Sequence, residues 1–286
     1  MSNTDSLNLS SKALLITLTI SLWSGRKYDR KVSDEIAAQH QATQAGRFNK
    51  ALVANEAIKE VEKVANEARN FHYTQTLPWG DDGYRILPSS NYLEYCSGVS
   101  KLKGKFEQAV NKFITNYDGL KDEARLRLNT LFSELDYPDR TDIARRYNFT
   151  TSILPLSSAS DFRVNLVESE VTKIQEDIER RMQEAQERAM KDLYLRLKDC
   201  LDKMAERLSE PTAIFRDSLI FNMVDLCSLL PRLNMTGDEN LEQMRRDIEA
   251  KLLKHNPDTL RVDQGARKEV ADGAKELLSK MEFYFN

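Results

Sequence analysis

The chain has 286 residues, of which 41% are hydrophobic and 30% charged, and a formal net charge of −3. That length suffices for one large domain or two modest ones, and the composition is that of a folded helical protein rather than a disordered chain. The near-neutral balance excludes a global field that would draw in DNA, RNA or an acidic membrane, and three scattered cysteines exclude a disulfide framework.

The first expected element is a strand. Leu14, Ile16, Leu18, Ile20 and Leu22 alternate with Leu15, Thr17, Thr19, Ser21 and Trp23, a period of two that buries one face. The apolar run from Ala13 to Trp23 is too short to span a bilayer, and the start of the chain lacks the basic region and cleavage pattern of a signal peptide. A polar helix is expected from about Val32 to Ala45, and another from about Asn55 to Phe71 with Ile58, Val61, Val64, Ala65 and Ala68 on one side. Residues 72–88, HYTQTLPWGDDGYRILP, read as an ordered loop bracketed by Pro78 and Pro88 and turned at Gly80 and Gly83. A long helix begins near Asn91, with a break expected at Gly119, and a short one follows Pro138. Asn148 to Leu156 reads as a second strand that pairs with the first, with Tyr84 to Leu87 as a candidate third.

From Leu166 to Glu210 there is neither Gly nor Pro, and apolar residues recur at Val171, Ile174, Ile178, Met182, Ala185, Ala189, Leu193, Leu197, Cys200, Met204 and Leu208. Gaps of three or four make this one helix with a narrow stripe, roughly 65 Å long. A compact chain of this length has a radius of gyration of about 19 Å, so the spacing predicts an elongated molecule. Asn165 and Glu168 form a capping-box-like start. The outer faces carry Glu176/Arg180, Asp177/Arg181, Glu184/Arg188, Glu187/Lys191, Asp192/Arg196 and Asp199/Lys203, each an acid four residues ahead of a base. The stripe's mean spacing near 3.7 disfavours a left-handed zipper. Pro211 is expected to open a helix that is apolar on nearly every side and therefore central. Two amphipathic helices finish the chain, from about Asp238 and from about Ala266, and end in the apolar Phe283, Tyr284 and Phe285.

Three groups of residues are candidate interaction sites. Trp79, Asp81, Asp82 and Arg85 stand on the 72–88 loop, where an exposed Trp would anchor a partner; a Trp plugging the core beside backbone-capping acids is the plainer alternative. Leu193 and Leu197 on the long stripe, with Phe283, Tyr284 and Phe285, are candidate interface residues. Arg26, Lys27, Arg30 and Lys31, with Lys101, Lys103 and Lys105 and with Arg145 and Arg146, could contact phosphates, although no aromatic interleaving accompanies them. His40, His72 and His255 are isolated, and no phosphate loop, nucleophile turn or metal motif occurs, so neither cofactor nor metal is expected.

The stretches ISLWSGRKYDRKVSDEIA (20–37), AGRFNKALV (45–53), EARNFHYTQTLPWGDDGYRILP (67–88), PTAIFRDSL (211–219) and LLPRLNMT (229–236) together resemble a family of uncharacterised proteins of tailed bacteriophages and prophages. The resemblance covers nearly the whole chain, and TLPWGDDGYRILP is its most specific part. It implies a phage origin, a place in the cytoplasm of the infected bacterium, and genes for a MoxR-like AAA+ ATPase and a von Willebrand factor A domain protein nearby. It supplies no catalytic residues.

The expected architecture is mostly α with a small buried sheet of two or three strands. Residues 1–165 would form a body, 166–210 a long charged helix, and 211–286 a helical part packing back on that body. The expected function is non-enzymatic: a structural or adaptor protein that self-assembles or accompanies an AAA+/VWA system, the alternative being nucleic-acid binding during phage replication or counter-defence.

Overall fold

The computed structural model describes residues 9–43, 45–80, 82–156 and 167–281. The protein is mostly helical, with one helix of 42 residues and a minor β part. Strands β1 (Ala13–Ser21), β4 (Leu77–Pro78), β5 (Arg85–Pro88) and β6 (Asn148–Pro155) form a four-stranded sheet in the order β4-β5-β1-β6. β5 runs antiparallel to β1, with Ala13 opposite Pro88, and β4 folds back on β5, with Leu77 opposite Ile86. A separate pair joins β2 (Arg26–Tyr28) to β3 (Asn49–Ala51). The β part is therefore larger than the two or three strands expected. A two- or three-residue strand is too short to display an alternation, and most of β6 is exposed rather than buried under helices.

Besides a helical turn at 9–12, the α-helices among the described residues are α1 (Arg30–Gln39), α2 (Asn55–Gln75), α3 (Tyr92–Leu128), α4 (Arg140–Ala144), α5 (Glu168–Ser209), α6 (Ser218–Leu233), α7 (Glu239–Leu252), α8 (Pro257–Val262) and α9 (Gln264–Met281). α3 runs through Gly119 unbroken, since a lone glycine costs a helix only about 1 kcal/mol. Pro211 does not open a helix: residues 210–217 are a connection, and α6 begins at Ser218. Asn165 lies outside the described residues, and α5 starts after Val167 without a side-chain cap.

The chain divides into two compact units. One holds the described residues up to Thr17, Thr74–Glu94 and those from Ile153 onward, and the other holds Leu18–Tyr73 and Tyr95–Ser152. These boundaries follow neither expected break, at 165/166 or at 210/211.

In the first unit α5, α6, α7 and α9 form an antiparallel bundle. Lys251 pairs with Glu276 and Asp247 with Lys280, so α7 and α9 run in opposite directions. Tyr194 donates to Asp238, the residue whose side chain caps α7, at 2.9 Å. Arg267 of α9 reaches back to the last carbonyls of α5. The α5 stripe that the bundle buries comprises Met182, Ala185, Ala189, Leu193, Leu197, Leu201, Met204 and Leu208. α6 is not enclosed on all sides: Ile220, Met223, Cys227 and Leu230 are buried, yet Phe221 is 51% and Val224 42% exposed. Its neighbours in the bundle, α5 and α7, cover only part of its circumference.

In the second unit α2 and α3 are antiparallel, with ion pairs Glu60–Lys112 and Glu67–Lys105 along the seam. Trp23 packs on Phe113 and Tyr117. Phe71 lies so close to Gly98 that a Cβ there would fall 2.1 Å from its ring.

Candidate functional site

The loop that carries the most specific sequence is in fact a hairpin, and arginines from α5 hold it. α2 continues past His72 to Gln75 before the chain turns into β4. Thr76 is fully buried, and its hydroxyl accepts from Arg85 Nε at 2.7 Å. Arg196 donates to the carbonyls of Thr74 (2.7 Å) and Thr76 (2.8 Å), and Arg188 donates to that of Trp79 (3.0 Å). Asn91, also fully buried, donates to the carbonyl of Gln75 at 2.8 Å. Thr74 and Gln75 close α2, whose last carbonyls have no intrahelical amide, and Thr76 and Trp79 flank β4, so side chains supply the donors that the backbone lacks there.

The geometry is that of a Trp packed on the core, the plainer of the two readings, rather than of an exposed anchor. Trp79 is half-buried against the hydrophobic core, Arg85 is consumed by Thr76, and Asp82 accepts from the Tyr84 amide to shape the turn. Asp81 lies outside the described residues. Arg188 and Arg196 were expected only as partners of Glu184 and Asp192. Those ion pairs do form, but the same two guanidinium groups also clamp the hairpin. Their eight-residue spacing, which places both on one side of α5, is the only sequence signal of that role.

Leu193 and Leu197 are not available to another subunit, because both are fully buried in the protomer's own bundle. Phe283, Tyr284 and Phe285 lie outside the described residues. The part of α5 that stays open is its beginning. From Glu168 to Arg181 no residue is buried, and Val171 and Ile174 continue the stripe half-exposed, with Ile178 packed against the edge of the core. Of the six expected acid-first pairs only Asp177/Arg181, Glu184/Arg188 and Asp192/Arg196 form. Arg180 instead spans Asp177 and Glu184.

The basic residues all fall in the second unit, and carboxylates occupy most of them. Lys27 pairs with Asp136, Arg30 with Asp34, Lys31 with Glu35, Lys103 with Glu107, Lys105 with Glu67 and Arg145 with Asp142. Arg26 donates to Asn55, and among the described residues Lys101 and Arg146 form no ion pair. Lys27 and Lys105 are held at 2.8 and 3.0 Å, whereas the pairs of Arg30, Lys31, Lys103 and Arg145 are exposed, 3.5–4.0 Å long and correspondingly weak.

A buried charge cluster was missed from sequence. Lys50, on β3, places its Nζ 3.0 Å from Asp29 Oδ2, 2.5 Å from Asp136 Oδ2 and 2.8 Å from the Leu131 carbonyl. Asp29 also caps α1 through the amide of Val32. The hydrogen bond from Lys50, helped by that amide, holds Asp29 below the usual carboxylate range. Burial would raise Asp136, but the bonds from Lys27 and Lys50 outweigh it and lower the group. Burial likewise opposes the charge on Lys50, yet Asp136 and Asp29 outweigh it and raise the ammonium. A lysine held protonated this way is a brace and not an amine nucleophile. Burial also raises the thiols of Cys200 and Cys227, the latter to about 12, so neither is a thiolate at neutral pH. His72 shares a 2.7 Å hydrogen bond with Tyr95 inside the second unit. Among the described residues no group of three or more His, Cys, Asp or Glu is placed to hold a metal ion, and no helix is long and apolar enough to cross a membrane.

The fold thus defines a mostly α protein with a minor antiparallel sheet, built in part on an antiparallel helical bundle. No family model, curated protein or solved structure matches the chain.

Proposed function

We propose that the protein is a non-enzymatic structural or adaptor component that self-assembles through the first turns of α5. The observation that carries this reading is the stripe of that helix, which continues through Ile174 to Val171 beyond its last fully buried residue, Met182. Fourteen residues, 168–181, extend roughly 21 Å past the buried segment. The segment carries Glu168, Glu170, Glu176, Asp177 and Glu179 against Lys173, Arg180 and Arg181, and those three cations already pair along the helix, so the apolar stripe and not charge would hold a second copy. A face this short lies below the roughly 800 Å² per partner of a standard interface, which places the association in the weak, concentration-dependent class.

The resemblance to tailed-phage proteins supports a role in the infected bacterial cell, in company with a MoxR-like AAA+ ATPase and a VWA-domain protein. In that setting the assembled protein is the companion that such machinery engages. The test is the double variant Val171→Glu, Ile174→Glu. It should remain folded with an unchanged melting temperature, because both side chains are half-exposed, and it should lose the oligomer that the unaltered chain forms. An oligomer of undiminished mass in the variant would remove the stripe from the interface.

A further inference from the structure

At the opposite end of α5 a cleft of about 370 Å³ opens beside α9. Its floor is Arg267, only 4% exposed. Nε of Arg267 donates to the Leu208 carbonyl at 3.2 Å, and one terminal nitrogen, Nη2, lies 2.8, 2.6 and 2.8 Å from the carbonyls of Arg207, Glu210 and Ala213. These carbonyls belong to the last turn of α5 and the connection after it, where helix geometry leaves C=O groups without amide partners. The other terminal nitrogen, Nη1, meets no acceptor among the described residues, although the residue lines the cleft. A guanidinium so deeply buried, with an N–H edge left over, is a preformed donor for an anion.

Two further cations line the same cleft from α9. Lys268 and Lys275 are exposed and, like Lys101 and Arg146, form no ion pair among the described residues. Asp272 is the one carboxylate in the lining, against three cations. Gln264 and Ser209 add neutral polar groups at the rim, and Leu208, Pro211 and Ala271 supply an apolar wall. A concave site with a few convergent polar groups and this volume has the dimensions of a small-molecule pocket rather than of a nucleic-acid groove.

We propose that the cleft between the end of α5 and α9 binds a small molecule bearing phosphate or carboxylate groups, held by Nη1 of Arg267 and the ammonium groups of Lys268 and Lys275. This site is independent of the self-association face, which lies at the other end of α5. Phosphate and carboxylate share the oxyanion chemistry that these donors recognise, and two probes separate them: pyrophosphate and citrate.

The experiment is calorimetric titration of the full chain with each probe at fixed ionic strength, repeated on Lys268→Ala, Lys275→Ala. Both lysines are exposed, so the variant folds. Arg267 is left intact because its carbonyl bonds are structural. Saturable binding of one probe, weakened at least about tenfold in the variant and restored by Lys268→Arg, Lys275→Arg, is the expected result, and the probe that binds identifies the chemistry. Absence of saturation by either anion up to roughly 10 mM, or binding that the alanine variant leaves unchanged, would overturn the proposal.

Discussion

With its ammonium between Asp29 and Asp136, Lys50 separates two carboxylates that would otherwise repel one another, and it ties β3 to α1 and to the segment at 131–136. Removing one member of such a set leaves uncompensated buried charge. Lys50→Ala should therefore cost about 3–5 kcal/mol, read from chemical denaturation of the purified chain. The pH dependence follows from the same groups. Asp29 and Asp136 are depressed in the folded state, so their contribution is present above the ordinary carboxylate range and is lost as acid carries the pH down through their folded values. Lys50 is raised, so its contribution is present below the ordinary lysine range and is lost as the pH climbs through its folded value. Stability should thus be flat near neutrality and fall at both extremes, with the acid-side loss reduced in Lys50→Ala. An unaltered acid limb in that variant would remove the cluster from the explanation.

Among the elements, α5 was the most legible in sequence, because a three-four spacing sustained over ten turns has few structural solutions. Cys200 was expected on the stripe, but it is half-buried and Leu201 takes the fully buried position. What the pattern could not reveal is which neighbour covers each part of the stripe, since the period is the same whether the cover is the chain's own bundle or a second copy. That ambiguity made Leu193 and Leu197 look like interface residues. With both enclosed by the bundle, replacing the pair with Glu should unfold the first unit rather than dissociate an oligomer, and loss of helical circular dichroism at ambient temperature would report it. A folded, dissociated product would reinstate the earlier expectation. The hairpin of β4 and β5 was harder to read. Pro78, Gly80, Gly83 and Pro88 mark a loop on local grounds, whereas its register depends on β1 and its carbonyls depend on Arg188 and Arg196, more than a hundred residues away. The cluster around Lys50 was illegible for the same reason, as Asp29, Lys50 and Asp136 share no spacing.

At the scale of the whole molecule, the chain interleaves its two compact units: it leaves the first after Thr17, returns at Thr74, leaves again after Glu94 and returns at Ile153. No sequence break marks these crossings, because they fall within or beside the regular elements β1, α2, α3 and β6. Composition could report only that 286 residues were enough for two units. The functional claim at this scale is self-association through the beginning of α5. Light scattering with absolute calibration tests it most directly, on the unaltered chain over a dilution series reaching a few hundred micromolar, the range that suits a weak interface. The expected result is a mass that rises with concentration from the 32.9 kDa protomer toward a discrete multimer. A protomer mass held constant across the whole series would contradict self-assembly as the function of that helix.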